Sequence, residues 1–82
     1  MRLANKRVFV TGAARGIGLA ISTACHAQGA QVFGVDQDGQ ALRRSFDALG
    51  ERVAWIEADV TDESLVQAAL VRAKETMGGI DT

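Results

Sequence analysis

A single cysteine, Cys25, excludes an intrachain disulfide. With one histidine, His26, and no cysteine pair, the donor set of a zinc-type centre is missing, and no metal site is expected. No apolar run approaches the roughly 20 residues needed to span a bilayer, so no membrane partner is expected. The opening Met1-Arg2-Leu3-Ala4-Asn5-Lys6-Arg7 lacks the apolar centre of a secretory leader, which makes the cytoplasm the expected location. Nine basic residues face ten acidic ones and no basic run occurs, so a nucleic-acid partner has no electrostatic footprint here. The pair Arg43-Arg44 reads as part of a solvated helix face. Tyrosine is absent altogether. Eighty-two residues make at most one small domain, and a chain of that size buries only about 60% of its unfolded surface, so marginal independent stability is expected.

What is present is a strand that breaks into glycines and then into a helix. Val8-Phe9-Val10-Thr11 is β-branched and aromatic, and Gly12-Ala13-Ala14-Arg15-Gly16-Ile17-Gly18 follows directly. Ile17, Ala20, Ile21, Ala24 and Cys25 recur at helical spacing, which predicts an apolar stripe on a helix running from about Gly16 to Gln28. On that stripe Cys25 reads as a small buried hydrophobe, with His26 directed away from it. The loop then sits at a helix N-terminus, where unpaired N–H groups and the positive end of the macrodipole favour phosphate oxygens. Gly12 suits a tight turn, while Gly16 and Gly18 leave room for a close approach to the backbone. Taken alone, the same loop could be a tight turn with no ligand.

Gln28-Gly29-Ala30 reads as a helix stop, and Gln31 to Asp36 as a second buried strand ending in an acid. An acid at that distance from the glycines fits a carboxylate that accepts hydrogen bonds from a ribose; the alternative is a turn residue beside Gln37, Asp38 and Gly39. Ala41, Leu42, Ser45, Phe46 and Leu49 predict a second helix ended by Gly50. Val53 to Ala58 predicts a third strand, on which Trp55 is a packing residue. Thr61 is expected to cap a third helix, with Asp62 and Glu63 in its first turn and with Leu65, Val66, Ala69, Leu70, Ala73 and Met77 along its apolar stripe. Gly78-Gly79 stops it. The βαβαβα order predicts an α/β fold: a parallel sheet of order 3-2-1, half of a doubly wound nucleotide-binding domain, ending before a fourth strand. Gly12, Asp36 and Asp59 all fall at carboxyl ends of strands. Strand one would have an open edge where a fourth strand docks.

Thr11-Gly12-Ala13-Ala14-Arg15-Gly16-Ile17-Gly18 resembles the Thr-Gly-x-x-x-Gly-x-Gly signature of the short-chain dehydrogenase/reductase family, and Ala58-Asp59-Val60-Thr61 resembles a second family feature. The resemblance covers the whole chain and implies that residues 1–82 are the N-terminal, NAD(P)-binding portion of a three-layer Rossmann-type domain. It implies that Arg15, Gly16 and Ile17 hold the pyrophosphate through their backbone, with Gly12 and Gly18 permitting the close fit. It further implies that Asp36 takes the adenosine ribose, that Asp59 accepts from the adenine amino group, and that Val60 lines the adenine pocket. For Asp59 a solvated place near a helix start is the alternative.

In the family a basic residue at the position of Arg15 often accompanies a 2′-phosphate, which would imply NADP, but Asp36 opposes a 2′-phosphate. Two unit charges about 4 Å apart repel by about 4 kcal/mol at an effective dielectric near 20 before solvent screening, so NAD is the expected cofactor. The family's catalytic serine and Tyr-x-x-x-Lys pair are not in this sequence, so no catalytic residue is assigned and the 82 residues alone are not expected to turn over. The implied activity is alcohol–carbonyl interconversion on a small-molecule alcohol or ketone, and the resemblance implies homo-oligomers. The alternatives are a non-catalytic nucleotide-binding module or gene remnant, and a methyltransferase-type α/β domain. The glycine spacing and Asp59-Val60 count against the methyltransferase.

Overall fold

The computed structural model describes residues 3–82 and alternates strand and helix three times: β1 (Arg7–Thr11), α1 (Gly16–Ala27), β2 (Gln31–Asp36), α2 (Gly39–Asp47), β3 (Val53–Glu57) and α3 (Glu63–Met77). Met1 and Arg2, the start of the polar lead-in and of the segment weighed as a leader, lie outside the described residues. The three strands form one parallel sheet with β2 in the centre, which is the expected order read from either edge. Thr11 pairs with Val35 and Asp36 with Glu57, so the three strands end along one edge.

The central strand is apolar because helices cover both of its faces. Val32 joins Val8, Val10, Leu42 and Phe46 on the side of α1 and α2, with Cys25 and Trp55 packed against that group. Phe33 and Val35 join Ala69 and Ala73 of α3 on the other side, where the Phe9 and Phe33 rings stack with centroids 6.0 Å apart. Leu42 and Phe46 lie fully buried. Burying such a side chain stabilises the fold by about 1.5–3 kcal/mol, so α2 is held chiefly by these two. The alanines at 69 and 73, one turn apart, keep the α3 face shallow where it meets the sheet.

Three expectations need correction. Most of the apolar stripe of α1 does not pack: Ile17 is 80% exposed, Ile21 47%, and Ala20 and Ala24 are exposed, while Cys25 alone of the stripe, half-buried, reaches the core. The buried residue of α1 is Ser22, whose hydroxyl donates to the Gly18 carbonyl at 2.8 Å and so enters the interior already satisfied. His26, half-buried, places Nε2 2.8 Å from the Glu51 carbonyl. The cap of α3 is Asp62, whose carboxylate accepts from the Ser64 and Leu65 N–H groups, while Thr61 donates to Asp59 instead. Of the stripe expected on α3, Leu65 is exposed while Val66, Ala69, Leu70, Ala73 and Met77 are buried or half-buried; Val71, off that stripe, is exposed.

The edge of β1, expected to be open, is partly covered. After α3 ends at Gly78, in the left-handed conformation, the chain returns along that edge. The Asp81 N–H donates to the Arg7 carbonyl at 2.8 Å, and the Phe9 N–H donates to the Thr82 carbonyl at 2.7 Å. The Arg7 guanidinium fastens the return by donating to Asp81 at 3.1 Å and to the Gly78 carbonyl at 3.1 Å. Part of the edge is therefore already paired.

The Arg7 side chain, followed by its backbone N–H, holds the Asp81 carboxyl below the ordinary value of 3.8. A carboxyl whose folded pKa is lowered stabilises the fold fully above that ordinary value and loses the contribution as pH falls below it. The thermal midpoint is therefore expected to fall between neutral pH and about pH 2.5, and to fall less in Asp81→Asn. Equal falls in both proteins would show that this ion pair does not fasten the return.

Candidate functional site

The glycine loop is tied to the end of β2. The Ala13 N–H donates to the Val35 carbonyl at 3.1 Å, and the Ala14 N–H donates to Asp36 Oδ2 at 3.1 Å. Gly12 and Gly16 adopt φ of 62° and 61°, where a side chain would strain the backbone. Gly18 serves a different need. A Cβ on it would overlap the Gly12 carbonyl, falling 2.6 Å from its carbon, so the first turn of α1 can lie against the loop only because position 18 is bare.

The three helices begin differently. Asp38 caps α2 by accepting from Ala41, and Asp62 caps α3, but Arg15 at the start of α1 makes no side-chain cap. No acidic residue lies in the first turn of α1. That turn thus keeps its N–H donors and dipole for something other than its own side chains, and an anion suits it.

Asp36 stands beside this turn. Its Oδ1 accepts from the Asp38 N–H at 2.9 Å and its Oδ2 from Ala14, which fixes the carboxylate and leaves each oxygen a further lone pair. The Arg15 guanidinium forms an ion pair with Asp38. The Ala41 N–H, and after it the Arg15 and Arg44 charges, hold the Asp38 carboxyl below the usual carboxylate range.

Asp59 and Val60 follow β3, reached from Asp36 through the Ala58 N–H, which donates to the Asp36 carbonyl at 3.0 Å. Asp59 is exposed, and its Oδ1 accepts from the Thr61 hydroxyl at 2.6 Å and the Thr61 N–H at 2.9 Å, which holds its carboxyl below the usual range. Val60 is exposed as well.

Gly12, Arg15, Gly16, Ile17, Gly18 and Asp36 therefore gather at one point. Asp59 and Val60 lie on the same sheet edge, with no bond to the Asp36 side chain or the loop. The sequence presents Asp38 as a turn residue beside Gln37 and Gly39. Its position just before a helical run was the available signal that it caps a helix.

The family model described as short chain dehydrogenase matches residues 6–82. This chain belongs to that family. Among curated family members, galactitol 2-dehydrogenase of Agrobacterium fabrum is 42% identical over 81 residues, covering 99% of this chain and 32% of that protein. A short-chain dehydrogenase of Burkholderia cenocepacia, solved in complex with NADP, superposes with a TM-score of 0.89 at 38% identity, covering 99% of this chain and 35% of that one. The 3-ketoacyl-(acyl-carrier-protein) reductase of Brucella melitensis, solved with NADH, superposes with a TM-score of 0.92 at 30% identity, covering 96% of this chain and 32% of that one. The chain spans about a third of the length of these short-chain dehydrogenases. Among the described residues, no helix is long and apolar enough to cross a membrane.

Proposed function

We propose that these residues form the adenosine-diphosphate-binding part of an NAD-dependent oxidoreductase that interconverts an alcohol and a carbonyl. The observation that carries the reading is the Asp36 carboxylate, fixed by the Ala14 N–H at 3.1 Å beside a helix start without a side-chain cap. Amides at Arg15, Gly16 and Ile17 meet the pyrophosphate oxygens; the bare position 12 lets it lie close, and the bare position 18 lets α1 start against the loop that holds it. Asp36 accepts from the ribose hydroxyls with the lone pairs that its two backbone donors leave over. Asp59 meets the adenine amino group through the oxygen that Thr61 does not engage, and Val60 gives that ring an apolar contact. When bound, the nicotinamide supplies or accepts the hydride. No residue here is assigned to move the substrate's proton.

Calorimetric titration of the intact protein with NAD, paired with amide exchange, tests the reading. Saturable binding that slows exchange at the amides of residues 13–18 is expected. Absence of binding, or protection confined to another surface, would overturn it.

A further inference from the structure

Arg15 and Asp38 lie at the starts of two different helices, 23 residues apart, and meet across the mouth of the site. The meeting is arranged from the Asp38 side. Its backbone N–H is held by Asp36 Oδ1 at 2.9 Å, and its Oδ1 by the Ala41 N–H at 3.1 Å, which leaves Oδ2 facing Arg15. Arg15 is the more exposed partner, its side chain 69% exposed against 42% for Asp38.

We propose that Asp38 adds to Asp36 in setting the choice between the two nicotinamide dinucleotides, by keeping the Arg15 guanidinium as its own counter-ion, out of reach of a 2′-phosphate. The inference rests on the dinucleotide reading of the site. A 2′-phosphate seated at the ribose that Asp36 receives would face two carboxylates and one guanidinium already engaged. Neutralising Asp38 removes one repulsive charge and frees the only guanidinium that reaches across from the glycine loop. The second consequence separates this idea from simple repulsion, because it requires Arg15.

The test is a set of dissociation constants for NAD and NADP on the intact protein, Asp38→Asn, Arg15→Ala and the double variant. Asparagine caps a helix about as well as aspartate, so α2 keeps its start; Asp38→Ser, another good cap, is the second variant should the first fail to fold. Solvent screening weakens an exposed pair, so Asp38→Asn is expected to tighten NADP by roughly tenfold while leaving NAD nearly unchanged. In the Arg15→Ala background most of that gain is expected to vanish. An unchanged NADP constant in both Asp38 variants would overturn the proposal, as would an equal gain with and without Arg15. In either case NAD binding by the wild type would leave the dinucleotide reading standing. A wild type that binds neither dinucleotide would overturn both.

Discussion

Gly18→Ala is expected to lower the thermal midpoint by on the order of 10 °C and to weaken NAD binding at least tenfold. The added methyl group meets backbone, the Gly12 carbonyl and the Ala13 Cα, and not the yielding end of a side chain. Relief requires α1 or the glycine loop to move. Overpacking of this kind costs about 1–3 kcal/mol, and in a domain this small each kcal/mol shifts the midpoint by about 4–8 °C. Moving the loop also disturbs the Ala14 donor to Asp36 and the amides at the start of α1, so binding falls with stability. Ile17→Ala is the control for stability. Ile17 is one residue away and 80% exposed, so its truncation is expected to change stability by no more than about 0.5 kcal/mol. Differential scanning calorimetry of the two variants checks this, and a Gly18→Ala midpoint equal to the wild type's would show that the close approach is not a constraint.

The strands and the glycine loop were legible because each has a cause within a few residues. Val32, Phe33 and Val35 declare a strand covered on both faces, and glycines that interrupt such a pattern just before a helix declare the loop. Asp36 was legible because it closes that strand. Burial of α1 was not legible, since spacing shows which residues share a face and not whether that face has a partner. Ile17 and Ile21 share an apolar face that is largely exposed, whereas Ser22 goes inside because it can satisfy its hydroxyl on the turn below. The cap of α3 turned on a local competition among three residues able to cap or be capped. Asp59 takes both the hydroxyl and the N–H of Thr61, and Asp62 is left to cap the helix. The pair between Arg15 and Asp38 depends on two helix starts meeting in space, and nothing in either segment announces it.

Asp36 is where the largest change in cofactor preference is expected. On the proposed reading, Asp36→Ala removes a charged acceptor for the ribose hydroxyls, and such hydrogen bonds are worth about 1.5–3 kcal/mol, so NAD is expected to bind about 10- to 100-fold more weakly. The same change removes a carboxylate that, on this reading, repels a 2′-phosphate, so NADP is expected to move in the opposite direction, and Asp36→Arg is expected to reverse the preference outright. Two structural bonds are lost with the carboxylate, those from Ala14 and Asp38, and a weaker fold alone could weaken NAD binding. Asp36→Asn separates the causes: it keeps a carbonyl acceptor and nearly the same shape while removing the charge. If charge governs the preference, Asn shifts the ratio of NAD to NADP constants in the same direction as Ala. If the effect is only structural, both constants weaken together and their ratio stays put. A ratio unmoved across Ala, Asn and Arg would place the adenosine ribose elsewhere than at the end of β2.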